Sequence, residues 1–79
     1  MTRQIISFVL DKETGRSVVF TRGSNEYREL VIGWAVVREV YASGHTSDSI
    51  EPLVWGEGGN PEPAGDDESS TWRVEVIDE

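Results

Sequence analysis

The sequence contains no cysteine, a single histidine and no long apolar run. Without cysteine, the chain has no disulfide framework, no thiolate zinc site and no cysteine nucleophile. No segment approaches the ~20 consecutive apolar residues of a membrane-spanning helix. The one apolar run near the N-terminus is broken by Ser7 and ended by Asp11, which does not match a signal peptide. These absences predict a cytoplasmic protein that is not inserted in a membrane.

Groups for catalysis are also scarce. His45 is followed closely by Ser47 and Asp48, but three triad members within four residues cannot adopt the separated geometry of a hydrolase triad. Glu39 and Glu51 have the most apolar neighbours of the acidic residues, yet nothing in the sequence brings them together as a carboxylate pair. There is no glycine-rich phosphate loop. We therefore predict a protein that is not an enzyme and needs no cofactor.

A specific metal site is not expected either. A calcium-binding loop needs acids at alternating positions, a central glycine and a distant bidentate glutamate, and the acidic segment EPAGDDESS does not fit this pattern. At 79 residues the chain forms one domain at most. A core of this size rarely supplies more than ~3–5 kcal/mol of stability. A compact binding module is therefore favoured over a strained catalytic site.

Strand-like segments dominate what is present. The runs 5–10 and 17–20 are rich in β-branched and aromatic residues and flank a turn, DKETGR, that ends in a glycine and an arginine. Residues 49–55 form a further strand, in which Pro52 lacks an amide donor and therefore indicates a sheet edge or a bulge. Residues 71–79 alternate between apolar and polar side chains. Residues 21–28 and 42–49 are expected to be loops.

Residues 25–43 allow two interpretations. Their apolar side chains recur at helical spacing, whereas Val and Ile are frequent and Gly33 lies in the middle, which favours a strand. We favour a long strand that bends near Gly33. The predicted fold is then a single mainly-β domain, a five-stranded curled antiparallel sheet or a small barrel. The alternative is an α+β fold with residues 25–43 as a helix on the sheet.

Negative charge is concentrated in the second half of the chain. The net charge is −8, but residues 1–44 carry five acids and six bases, whereas residues 45–79 carry ten acids and one base, Arg73. This distribution disfavours anionic membranes and direct binding of nucleic acid, and it favours a basic protein partner. The acidic, Gly- and Pro-rich segment 56–71 lies between Trp55 and Trp72. It is expected to be a long loop, either mobile or a contact surface.

These features predict a non-enzymatic protein-binding module. Its most specific form is a small acidic inhibitor that mimics nucleic acid on a basic, nucleic-acid-binding protein. Segment 62–68 alone carries one charge per ~6 Å against one per ~1.7 Å in duplex DNA, so other acids must gather beside it. This requires the strands 49–55 and 71–79 to lie together. The predicted partner-binding residues are Glu51, Glu57, Glu62, Asp66, Asp67, Glu68, Glu75, Asp78 and Glu79.

Small size, absent catalytic groups and segregated charge fit the general profile of phage-encoded anti-defence inhibitors, including anti-CRISPR proteins. The analogy is one of profile, because the sequence carries no family motif. A second hypothesis is an adaptor or structural subunit that binds through a β-edge or an aromatic patch. A third is an oligonucleotide-binding barrel that uses Arg22, Arg28 and Arg38. The oligomeric state stays open.

Overall fold

The structure is a computed structural model and describes residues 1–77. These residues form seven β-strands and two single-turn 3-10 helices. The strands are β1 (Thr2–Leu10), β2 (Arg16–Arg22), β3 (Asn25–Leu30), β4 (Gly33–Val40), β5 (Thr46–Trp55), β6 (Pro61–Pro63) and β7 (Thr71–Val76), with 3-10 turns at Glu57–Gly59 and Ala64–Asp66. No helix in this part of the chain is long and apolar enough to cross a membrane.

The strands form two antiparallel sheets. The four-stranded sheet has the order β1-β4-β5-β6 and is curled, and the three-stranded sheet has the order β3-β2-β7. The predicted mainly-β fold with a curled antiparallel sheet is confirmed. The predicted number of five strands is wrong, because one predicted strand divides into two and a further short strand forms within segment 56–71.

The α+β alternative for residues 25–43 is also wrong, since this segment forms β3 and β4. The long strand is interrupted at Val31 and Ile32, where the chain passes from one sheet to the other. The Val31 amide donates to the Arg16 carbonyl in the three-stranded sheet (3.0 Å), and the Ile32 amide donates to the Leu53 carbonyl in the four-stranded sheet (2.9 Å). Both side chains are buried. Val31 and Ile32, two of the β-branched residues that disfavour a helix, are thus buried where the chain passes between the sheets.

Two segments expected to be loops are mostly strand. Residues 25–28 belong to β3, because Gly23, with its positive φ of 61°, and Ser24 alone form the tight turn between β2 and β3. Residues 46–49 extend β5 towards its N-terminal end. The predicted turn after residue 10 is present, but the strands it joins lie in different sheets. β1 pairs with β4, whereas β2 pairs with β3 and β7.

The core lies between the sheets and along the curled one. One cluster contains Val18, Phe20, Val31, Val54 and Ala64, and Trp34 packs against it. A second contains Ile32, Ala35, Val37 and Leu53. Ala64 comes from segment 56–71, so this segment does contribute to the core, contrary to expectation. Burying the aliphatic side chains contributes roughly 1.5–3 kcal/mol each before the entropy of ordering them is subtracted.

Pro52 lies where one side of β5 has no neighbouring strand. β6 pairs only with residues 53–55, so residues 46–52 of β5 form a free edge. The Leu53 carbonyl is bonded on the β4 side, and neighbouring residues of a strand direct their backbone groups to opposite sides. The position of the missing Pro52 amide is therefore on the free side, in agreement with the sequence-based expectation.

Gly33 allows the close approach of β1 to β4. A Cβ atom built on it would overlap the Val9 carbonyl oxygen and lie 2.9 Å from the Leu10 Cα. We therefore expect Gly33→Ala to separate the end of β1 from β4 and to lower the free energy of unfolding by about 1–3 kcal/mol. Urea denaturation measures this loss. An unchanged midpoint would contradict the pairing of Leu10 with Gly33.

Candidate functional site

Glu51 is a buried carboxylate held by one arginine. Only 5% of the residue is exposed. Arg3 Nη2 donates to its Oε1 and Oε2 atoms at 2.7 and 2.9 Å, and the Gly65 amide donates to Oε1 at 2.8 Å. A Cβ at position 65 would overlap this carboxylate, so a glycine is required there. These hydrogen bonds offset the cost of removing the charge from water.

Arg3 binds two further carboxylates. Its Nε atom donates to Asp66 Oδ1 at 3.0 Å, and its Nη1 atom donates to Glu39 Oε1 at 3.2 Å. Burial acts to lower the pKa of Arg3, but the hydrogen bonds to Glu51 and Asp66 outweigh it and raise the pKa. One guanidinium therefore connects β1, β4, β5 and the second 3-10 turn. The Arg3 network therefore joins these elements to one another and is not an exposed charged surface.

Asp67, the residue after Asp66, is bound by side chains of the three-stranded sheet and by Ser69. It accepts hydrogen bonds from the Tyr27 hydroxyl at 2.9 Å and from the Ser69 hydroxyl and amide at 2.7 and 3.2 Å. Arg22 lies 3.5 Å away. The bonds from Ser69 and Tyr27 lower the pKa of Asp67 to about 2. Burial and the neighbouring Asp67 raise the pKa of the Tyr27 hydroxyl.

The lowered pKa of Asp67 predicts a loss of stability in acid. A carboxylate with a depressed folded-state pKa stabilises the fold above its unfolded pKa of about 3.9, and this contribution disappears as the pH falls through about 2. We expect Asp67→Asn to be less stable than the wild type at pH 6 and to lose less stability between pH 5 and 2. Thermal denaturation across this range measures both. If the stability of the wild type and of Asp67→Asn fell in parallel between pH 5 and 2, the lowered pKa of Asp67 would be contradicted.

Glu75 lies on the outer face of the three-stranded sheet. It accepts hydrogen bonds from Arg28 and Arg73, both at 2.9 Å, which lower its pKa. Arg73 also lies 3.8 Å from Glu26. These alternating charges cover the buried Val19 of the same face. The polar face of β7 thus belongs to a network of positive and negative side chains.

The structure does not gather those predicted partner-binding acids that it describes into one patch. Glu51 and Asp66 meet at Arg3, Asp67 lies beside Tyr27, and Glu75 lies on the outer face of the other sheet. Glu62 and Glu68 are exposed. The side chain of Glu57, together with Asp78 and Glu79, lies outside the described part of the chain. The strands 49–55 and 71–79 do not pair, because β5 and β7 belong to different sheets.

The arginines considered for nucleic-acid binding also have partners. Arg22 bonds to Ser69 and lies near Asp67, Arg28 bonds to Glu75, and Arg38 binds Asp48 through two hydrogen bonds of 2.8 and 2.9 Å. Within residues 1–77, His, Asp and Glu side chains do not form a cluster of three or more that could hold a metal ion.

Many of the exposed apolar side chains belong to β1, which is one of the two edge strands of the curled sheet. We call these side chains, together with the preceding Met1 and the free backbone edge, the β1 surface. It consists of Met1, Ile5, Ile6, Phe8, Val9 and Leu10, each at least 43% exposed and distributed over both faces of the strand. Because β1 pairs on one side only, about half of its backbone N–H and C=O groups point away from β4. An extended chain could bind to them.

Every other free edge in residues 1–77 carries a residue type that obstructs strand addition. β6 has prolines at both ends, and the free part of β5 contains Asp48 and Pro52. β3 and β7 carry the ion pairs of Glu75 with Arg28 and Arg73. β1 has neither charge nor proline between residues 4 and 10. Its single irregularity is a bulge at Ile6, which leaves residues 7–10 as a regular run.

The apolar surface continues onto the neighbouring strands. A shallow hollow of about 160 Å³ is lined by Phe8, Val9, Trp34, Val36 and Ile50, with backbone and small side chains of Ser7 and Ala35 completing it. Ile50 projects from β5 with most of its surface in water. The surface therefore combines a free strand edge with side-chain depressions, which are the two elements of peptide recognition by strand addition.

Sequence reasoning identified β1 as a strand but missed its surface. The signal was present in IISFVL, whose apolar residues occupy consecutive rather than alternating positions. Such a run is typical of a strand covered on both faces. In this fold the strand lies at an edge, and its apolar side chains stay exposed. No protein-family model, curated protein or solved structure matches this chain.

Proposed function

We propose that this chain is a non-enzymatic protein-binding module that accepts an extended apolar segment of a basic partner protein along β1. The observation that carries the proposal is the free edge of β1, which between residues 4 and 10 lacks the charges and prolines found at the other edges of the described chain. Backbone hydrogen bonds to this edge supply affinity, and the exposed side chains supply specificity. This corresponds to the adaptor hypothesis from the sequence.

The placement of the exposed apolar side chains supports the proposal. Successive residues of β1 project to opposite faces of the strand, so these side chains flank its free edge on both faces. A chain that pairs with this edge can therefore contact apolar groups on either face.

Charge indicates the kind of partner. A second copy would bring another net charge of −8 to the interface, and the two copies would repel each other. A basic protein is attracted instead, while the β1 surface itself stays neutral. We therefore commit to an apolar strand of a basic protein as the occupant. Self-association is an outcome of the experiment below that would contradict this choice.

A nucleic-acid-mimicking inhibitor of a basic protein is the second candidate, favoured by the surplus of negative charge. It is weaker because four of the predicted acids, Glu51, Asp66, Asp67 and Glu75, already lie next to arginines. Phosphate groups of DNA offer unpaired charge at a high density. Among the described side chains of the predicted site, Glu62 and Glu68 remain without an arginine or lysine within 4 Å.

A photo-crosslinking residue at position 8 tests the proposal. The same residue at position 76, on β7, is the control. We expect position 8 alone to give an adduct with a basic protein. The purified partner should lose less than about tenfold in affinity between 0.05 and 0.5 M salt, because salt screens the attraction between the net charges but hardly affects the apolar contacts. Adducts at neither position, adducts only between two copies, or a steep salt dependence would overturn it.

A further inference from the structure

A cleft opens between the two sheets on the side of β5 that is paired with β6. It has a volume of about 450 Å³, within the range of ~300–1,000 Å³ typical of ligand sites. Its floor continues the core through Val54 and Ala64. Phe20, Tyr27 and Trp55 form aromatic walls, and Arg22, Glu29, Glu62 and Asp67 supply its charged groups.

Two of the aromatic walls, Tyr27 and Trp55, are partly open to water, whereas Phe20 is buried. The Phe20 and Tyr27 rings are stacked, with centroids 5.0 Å apart and planes inclined by 14°. Trp55 is 45% exposed. The Lys12 ammonium group lies 6.0 Å from the centroid of its ring, at the limit of a cation–π contact. A cation of this chain therefore already approaches the Trp55 ring.

The charged groups of the cleft are not balanced. Arg22 faces Asp67 at 3.5 Å, whereas Glu29 and Glu62 have no arginine or lysine within 4 Å among residues 1–77. Glu29 extends from the same face of the three-stranded sheet as Val18, its cross-strand neighbour. Glu62 packs over Gly56, where a Cβ would overlap its carboxyl group. Two carboxylates thus flank the aromatic rings without an ion-pair partner of their own.

We propose that this cleft binds an arginine side chain of a partner protein. A planar guanidinium stacks on aromatic rings and donates up to five hydrogen bonds, so it can use the rings and the carboxylates of Glu29 and Glu62 together. A neutral apolar side chain would leave both carboxylates unpaired, and an anion would be repelled. The site is separate from the β1 surface and does not depend on the function proposed for it.

Titration with a blocked Gly-Arg-Gly peptide, followed by NMR of the 15N-labelled protein, tests this site. We expect the indole N–H signal of Trp55 to shift and that of Trp34 to stay in place. The matched probe is the same peptide with citrulline, which has the shape of arginine without its charge. No shift of Trp55, or equal shifts with both peptides, would overturn the proposal.

Substitutions at the two carboxylates sharpen the test. Glu29→Gln and Glu62→Gln should each weaken arginine binding about tenfold, since a hydrogen bond loses its charge. Glu26→Gln is the matched control, because it removes the same charge from the opposite face of the sheet. Equal weakening in all three variants would contradict the site and indicate general attraction to an acidic protein. Val9→Lys should leave the titration unchanged, which separates this site from the β1 surface.

Discussion

Replacing Arg3 with alanine should lower the free energy of unfolding by about 3 kcal/mol, because Glu51 would be left as a buried carboxylate without its counter-charge. Asp66 and Glu39 would lose the same partner, and three acids would face one another across β4, β5 and the second 3-10 turn. Since a core of this size rarely supplies more than about 3–5 kcal/mol, the loss is a large part of the total stability. Urea denaturation at pH 7 measures the loss.

Arg38→Ala is the matched control for this prediction. Arg38 also binds a carboxylate through two hydrogen bonds, but both partners are more than 40% exposed, so its loss should cost only about 0–1 kcal/mol. Adding Glu51→Gln to Arg3→Ala should restore part of the stability. A neutral amide is less costly to bury, and its oxygen can still accept the Gly65 amide. Equal losses of unfolding free energy for Arg3→Ala and Arg38→Ala would contradict a special stabilising role of the Arg3 network.

Replacing Val9 with lysine should weaken the complex with the partner about 30-fold or more, the effect of losing a central contact residue of about 2 kcal/mol. Lysine on an edge strand obstructs the approach of a further strand and removes apolar contact area. Val9 is 64% exposed, so stability should change by less than about 0.5 kcal/mol. Calorimetric titration with the crosslinked and purified partner measures the affinity, and thermal denaturation measures the stability.

Val76→Lys provides the comparison. Val76 is 65% exposed and also lies on an edge strand, β7, so the substitution adds the same charge in a similar environment. It should leave affinity for a basic partner nearly unchanged. If both lysine variants weaken binding equally, then added positive charge rather than the β1 edge determines affinity. That result would support the acidic surface as the contact region.

The sequence was sufficient to predict a mainly-β fold because each strand has a local signature. The apolar runs of β1 and β2, the glycine in the turn between them and the alternation in β7 all lie within short segments. The division of segment 25–43 could not be read in this way. It depends on Val31 and Ile32 bonding to different sheets, which are partners far away in the chain. Propensity indicated strand correctly, but not to which sheet each half belongs.

Electrostatic pairing was the least accessible feature. Arg3 and Glu51 are 48 residues apart, and Tyr27 and Asp67 are 40 apart, so counting charges along the chain cannot reveal their contacts. Arginines of the first half bind acids of the second half. Opposite charges that are separated in the sequence thus lie next to each other in the fold. The β1 surface was missed for a related reason, since an apolar run does not indicate whether a neighbouring strand covers it.

Hydrogen exchange of the backbone amides, compared between the free protein and its complex with the purified partner, tests the account most directly. We predict that amides of β1 exchange at least about tenfold more slowly in the complex, in an alternating pattern that marks the side facing away from β4. Amides of segment 62–68 and of β7 should be unchanged. Protection confined to that acidic segment, with β1 exchanging as before, would contradict binding by strand addition.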